Sequence, residues 1–356
     1  MPTTTVSGPT TTVSRPQTTT GTVTAAPKPL CQVTTSIPIT HEEFFEAYRA
    51  TIAPSQSGEF VALEEAEEQR LFGELFESLL ADDLEAAGCT VSRLTSSGVS
   101  YGLFEILGES PGPVYGIRET VAPGHLKYRG WGAALIRPSS GHRVYLAPHP
   151  EADWLSEQIA LDAFLADDGA SVVVFAGAHR DALGDSNGDG YADSDATHNT
   201  DNLVHVVTDY LSADVEDVAP RFIQIHGARN RDVVPDVNEP TIVASDGSAV
   251  EDQVSGGPLL AIAGAVNDEG ALVAGVCGYD SGALVVDEKG MELRLDGLYT
   301  LCATQNRQGW MLEERGMRDS FMHFEIERSA REDYAAGAGP GFDGVGTLLD
   351  AIRSHA

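Results

Sequence analysis

Lysine is nearly missing from this chain of 356 residues: Lys28, Lys127 and Lys289 are the whole set, and 22 basic residues stand against 54 acidic ones. The formal charge of −32 repels phosphate backbones and anionic lipid surfaces, so neither nucleic acid nor a membrane surface is an expected partner. Long apolar runs are missing too. Nothing approaches the roughly 18 apolar residues of a membrane span, and the N-terminus lacks the basic-then-apolar pattern of a secretory signal. The expectation is a soluble protein of unassigned compartment. Cysteine is sparse: Cys31, Cys89, Cys277 and Cys302 lie far apart without a CxxC pair, which excludes a structural zinc cluster or a dithiol redox motif and sets no redox compartment.

What is present is enough apolar material, 42%, for a substantial core. Residues 1 to 38 are dominated by Thr, Pro, Ser and Gly, a composition that buries too little to offset the entropy of ordering. They read as a disordered tail, and residues 39–356 as one domain. From Val61 to Ala87, leucines and phenylalanines at helical spacing among glutamates predict one amphipathic helix. Short strand-like segments follow at Cys89 to Leu94, Tyr101 to Leu107 and Trp131 to Arg137.

From Val144 the pattern changes. VYLAPHP is a short apolar run ending in a turn, WLSEQIALDAFLADDG has helical periodicity closed by Gly169, and SVVVFAGAHR reads as a buried strand. A helix over Asp201 to Leu211 leads to the strand RFIQIHG. Further strands are expected at LLAIAGAV, LYTLCAT and FMHFEIE, and a closing helix from Gly341. Alternation of this kind predicts an α/β fold: a mostly parallel or mixed twisted sheet with helices on both faces.

Such sheets bind ligands beyond the carboxyl ends of their strands. Three consecutive predicted strands end there in His149, in His179 with Arg180, and in His226. Asp153 follows His149 by four residues, with Glu157 four further on. Two histidines and a carboxylate that leave one position open are the ligand set of a hydrolytic zinc site, so His149, Asp153 and His226 are the candidate ligands. In FMHFEIERSARED, His323, Glu325 and Glu327 share one side of a strand, and burial of Glu325 would raise its pKa toward that of a general base. His198, Asp201 and His205 form a rival cluster ahead of a helix.

The order His149, Asp153-Trp154, Arg180, the histidine of IQIHG and then EIERSAR resembles the N-formylglutamate amidohydrolases, which group with zinc carboxypeptidases and poly-γ-glutamate hydrolases. The resemblance spans Val144 to Asp333. It implies a zinc carboxypeptidase-like fold with Zn²⁺ on His149, Asp153 and His226, Glu325 as catalytic base and Arg328 as the motif arginine. The chain departs from the family pattern at Glu327, where the family has asparagine, and at Arg331, where it has tyrosine. The implied activity is hydrolysis of an amide bond in an N-acyl amino acid or small peptide, with Arg180 or Arg328 clamping a substrate carboxylate. Two other readings remain open: a carboxypeptidase acting on peptide or cell-wall substrates, and a non-catalytic module on the same scaffold.

GDSNGDGYADSD is a separate signal. Asp185, Asn187, Asp189, the Tyr191 carbonyl and Asp193 follow the spacing of a calcium loop over residues 185–196, which makes Ca²⁺ a second candidate cofactor. Position twelve is Ala196 instead of an acid, leaving Asp195 to complete the site.

Overall fold

The apolar runs Arg143–Ala147 and Ala170–Phe175 are buried almost throughout, as expected of parallel strands covered on both faces. The computed structural model describes residues 31, 33–108, 112–138, 141–213, 218–229, 240–247, 257–278, 284–286, 292–294 and 299–356. In chain order the elements are β1 (Ile37–Ile39), α1 (His41–Arg49), α2 (Ala66–Leu80), α3 (Leu84–Ser96), β2 (Tyr101–Ile106), β3 (Val114–Glu119), β4 (Ala133–Ile136), β5 (Arg143–Ala147), α4 (Ser156–Ala166), β6 (Ala170–Phe175), α5 (Leu203–Ala213) and β7 (Arg221–Ala228). They continue with β8 (Ile242–Ser245), α6 (Pro258–Glu269), β9 (Ala274–Gly278), β10 (Leu284–Val286), β11 (Glu292–Arg294), α7 (Arg307–Glu314), β12 (Phe321–Glu327), α8 (Arg328–Ala336) and α9 (Pro340–His355).

The strands form one sheet in the order β1-β2-β3-β4-β6-β5-β7-β12-β8-β9-β10-β11. Its centre, β6-β5-β7-β12, is parallel. On one side β4 joins β6 antiparallel and continues into β3 and β2; on the other, β8 joins β12 antiparallel. The protein therefore has a mixed α/β sheet. Period-2 alternation sends Tyr145, Val173, Ile223 and Phe324 to a core packed by α1, α4, α6 and α9. Val144, Val174, Phe222 and Phe321 face the opposite core, under α2, α3 and α5.

Several sequence expectations change. The helix expected over Val61 to Ala87 is two helices. Asp82 takes a left-handed φ of 59°, and Asp83 caps α3 by accepting from the Ala86 amide at 2.9 Å. The strand expected at Cys89 to Leu94 lies inside α3. LLAIAGAV is helical in α6, which starts with a proline in its first turn and ends at Gly270 with φ 79°. LYTLCAT holds a 3₁₀ turn at Tyr299–Cys302 instead of a strand. The domain starts before residue 39, since β1 begins at Ile37 and pairs with β2; residues 1–30 lie outside the described residues. Cys277, on β9, is disulfide-bonded to Cys302, 25 residues on.

Candidate metal centre

Toward one face, β7 presents Phe222, Gln224 and His226, while β12 presents Phe321, His323 and Glu325. The parallel register sets His323 beside Gln224 and Glu325 beside His226. Each strand is apolar where it crosses the core and polar on reaching its carboxyl end, where helix cover stops. The next strand, β5, ends at Ala147, two residues before His149. A turn then brings Asp153 back beside His149, its amide donating to the His149 carbonyl at 3.0 Å. Glu151 and Leu155 flank Asp153 with left-handed φ values of 61° and 71°. Non-glycine residues held there cost roughly 1–3 kcal/mol each, and such strain gathers at functional sites.

His149, Asp153 and His226 are buried, with donor atoms within 4.8 Å of one another. Asp153 Oδ2 lies 3.0 Å from His226 Nδ1 and 3.3 Å from His149 Nδ1. The far nitrogens have their own partners. His149 Nε2 donates to Asp195 Oδ1 at 2.9 Å, and His226 Nε2 to Gln224 Oε1 at 3.2 Å. Both nitrogens of each ring thus face oxygens that only accept, and a cation between the two Nδ1 atoms and Asp153 would displace any proton there and leave the ring protons on Nε2. His149 Nδ1 is buried without a hydrogen-bond partner. Two buried Nδ1 atoms and a carboxylate oxygen converging in this way would, once deprotonated, fit a divalent cation with a preference for nitrogen, as zinc has. His226, His323 and Glu325 form a second buried group of the same tightness, sharing His226.

Burial opposes a charge on His149, yet Asp195 and Asp153 together push it up to about 10. Burial likewise disfavours the charges of Asp153 and Asp195, but His149 beside each holds both well below the usual carboxylate range. His226 and His323 go the other way, pushed down by burial. Glu325 is raised to about 8, first by burial and then by repulsion from Asp153, with His323 Nε2 at 3.5 Å from its Oε1. A carboxyl group poised near neutrality beside a nitrogen-rich donor set is suited to taking and returning a proton.

No family model matches the chain. No curated protein matches it either. Among solved structures it is similar to a bacteriophage poly-γ-glutamate hydrolase, at 13% identity and a TM-score of 0.35, covering 74% of this chain and 95% of that one. It is also similar to a carboxypeptidase candidate from Burkholderia mallei ATCC 23344, at 15% identity and a TM-score of 0.32, covering 74% of this chain and 67% of the other. Likenesses this distant leave function to be argued from the site's own residues.

The other residues singled out in the sequence are distributed as follows. Arg180 stands at the site, its side chain 41% exposed and its Nε 3.6 Å from Asp195 Oδ2. Its neighbour His179 turns away, with Nδ1 accepting from the Asp181 amide. Arg328 is exposed and pairs with Glu332 one turn along α8 at 2.7 Å, whereas Arg331 is the buried arginine of that helix. Glu157 is buried behind Asp153, with Arg49 Nε at 3.9 Å and its Oε2 unpartnered. Of the rival cluster, Asp201 and His205 share one groove while His198 lies apart. His198 bonds Asp195 at 3.0 Å, Asp201 lines a groove of about 610 Å³ between α2 and α5, and His205 meets Gln308 at 3.4 Å. Neither His149, Asp153 nor His226 lines that groove.

In the loop at 185–196 the acids cap the chain's own amides. Asp185 accepts from Gly188 at 2.6 Å and Gly190 at 3.0 Å, Asn187 from Asp189 and Asp189 from Tyr191 at 2.9 Å, and Asp193 from Ser186. The Tyr191 ring stacks on His198 at 3.7 Å. Asp195 does not complete this loop, because its carboxylate is committed to His149, His198 and Thr197. Sequence reasoning missed Asp195 as the partner of His149. The two are 46 residues apart, and the one available hint was an acid between the calcium-like spacing and His198. Gln224 was legible in principle, as a polar residue two before His226 inside an apolar strand.

Proposed function

We propose that this protein is a zinc-dependent hydrolase of an amide bond in an N-acyl amino acid or small peptide, with His149, Asp153 and His226 as ligands and Glu325 as general base. The observation that carries the reading is the convergence of those three buried donors, with Glu325, whose pKa is raised to about 8, beside His226. Bound there, zinc would supply polarisation of the scissile carbonyl and a lowered pKa for water. The chain's own residues do the rest. With a cation on the Nδ1 side, Asp195 and Gln224 would hold the ring protons on Nε2 of the two histidines. Glu325 accepts a proton at its carboxylate and returns it to the leaving nitrogen. Arg180, the exposed cation at the rim, meets a substrate carboxylate. Calcium in the loop at 185–196 belongs to this reading on spacing alone, and the Cys277–Cys302 disulfide suits an oxidising compartment.

The test is metal content by mass spectrometry beside kinetics on N-acyl-glutamate and γ-glutamyl substrates. His149→Ala and His226→Ala are expected to release the metal. Glu325→Gln is expected to keep it while losing about 10²- to 10⁴-fold in turnover, the usual worth of general-base assistance. Wild-type protein without metal, or both histidine variants binding it as wild type does, removes the proposal.

A further inference from the structure

We propose that Arg331 is a positioning residue for this centre: one buried guanidinium ties together the three chain segments that carry the aspartate, the second histidine and the base. This inference rests on the reading above. Arg331 lies in the first turn of α8, directly after β12, and is 3% exposed. Its Nη1 donates to the carbonyl of Trp154, the residue after Asp153. Its Nη2 donates to the Ala228 carbonyl at 3.1 Å, two residues past His226, and its Nε to the Ile326 carbonyl at 3.0 Å, next to Glu325. Three donors of one rigid plane thus meet three strand-end or turn carbonyls, each within two residues of a different site residue.

The chain makes room for this arrangement. A Cβ on Gly227 would fall 2.3 to 2.5 Å from the guanidinium Cζ, Nη1 and Nη2, so glycine there lets the plane lie against the end of β7. The plane is also needed as a plane. A guanidinium offers five donors in a fixed fork, whereas an ammonium is a single point that cannot span three carbonyls in different directions. Asp153, Glu325 and Glu157 surround the cation electrostatically, so it also offsets the negative charge gathered under the site.

A buried arginine bonded to carbonyls can serve stability alone, and the molecule supplies the control. Arg137, 2% exposed, donates through Nη1 to the carbonyls of Asp167 at 2.8 Å and Ala170 at 3.1 Å. These lie at the opposite, amino-terminal edge of the parallel strands, away from the proposed ligands. Arg331→Lys, Arg331→Ala and Arg137→Lys are therefore compared in the full chain. Zinc affinity is read by chelator competition, and amide hydrogen exchange is read on metal-free protein.

The Arg331 variants are expected to weaken zinc by about 10- to 100-fold, the range for residues that orient metal ligands. They should also speed exchange in 149–157, 226–228 and 325–328 together. Guanidinium ion should restore zinc affinity to Arg331→Ala and do nothing for Arg331→Lys. Arg137→Lys should speed exchange only around 164–170 and keep wild-type zinc affinity. Wild-type zinc affinity in the Arg331 variants, or an equal loss in Arg137→Lys, overturns the proposal. If wild-type protein binds no zinc, the function proposed above fails. The exchange data then decide this one by themselves, and separate exchange behaviour of the three segments refutes it.

Discussion

Holding His149 between two carboxylates has a measurable consequence for metal binding. Its ring sits 2.9 Å from Asp195 and 3.3 Å from Asp153, and despite burial its pKa rises from 6.5 to about 10. Asp153 stays ionised at neutral pH and His226 stays neutral, so neither carries a proton that a cation must displace. His149 does. One displaced proton makes log K for zinc rise by one per pH unit below the His149 pKa, and at pH 7 the displacement costs about 4 kcal/mol at 1.36 kcal/mol per unit. Calorimetric titration of zinc in buffers of different protonation enthalpy should therefore show at least one proton released per ion between pH 6 and 8, the His149 proton adding to any from Glu325 or bound water. Asp195→Asn removes the nearer carboxylate, lets the His149 pKa fall, and should lower the release at pH 8 by up to one proton relative to wild type. In metal-free protein the raised value stabilises the fold fully below pH 6.5, a contribution lost as the pH rises through 10. Release of no proton by wild type, or the same release from Asp195→Asn, refutes the reasoning.

Other outcomes follow from local geometry. Gly227→Ala places a Cβ 2.3 Å from Arg331 Cζ, and overpacking of this kind should cost about 1–3 kcal/mol in a denaturant midpoint; an unchanged midpoint contradicts the packing described. Cys302→Ser removes the bridge to Cys277 and should destabilise by about 2–5 kcal/mol under oxidising conditions, with equal stability to wild type as the refuting result. Calcium at millimolar concentration should raise the melting temperature if the 185–196 loop takes the ion, and calorimetry showing no shift removes that assignment.

Local pattern was enough to place the parallel centre and to bring its four leading candidate residues to one end of it. Apolar runs of strand length end at His149 and His226, Asp153 opens the following turn, and alternation along β12 puts Glu325 on the same side as His323. These features rest on neighbours in the chain: burial sets the run, and the place where it stops is the edge of the sheet. LLAIAGAV was misread because a short apolar run suits a buried strand and a buried helix equally, although the proline before it and Gly270 after it were helix signals. What only the tertiary structure decided is carried by partners distant in sequence. Asp195 reaches His149 across 46 residues, Arg331 reaches Trp154 across 177, and Cys277 finds Cys302 across 25. The choice of Arg331 over Arg328 turns on which side of α8 faces the ends of β7 and β12. Periodicity states how a segment divides its own faces, whereas hydrogen bonds between segments depend on how those faces are brought together. For that reason the candidate residues could be picked out of the sequence, whereas the groups packed around them could not.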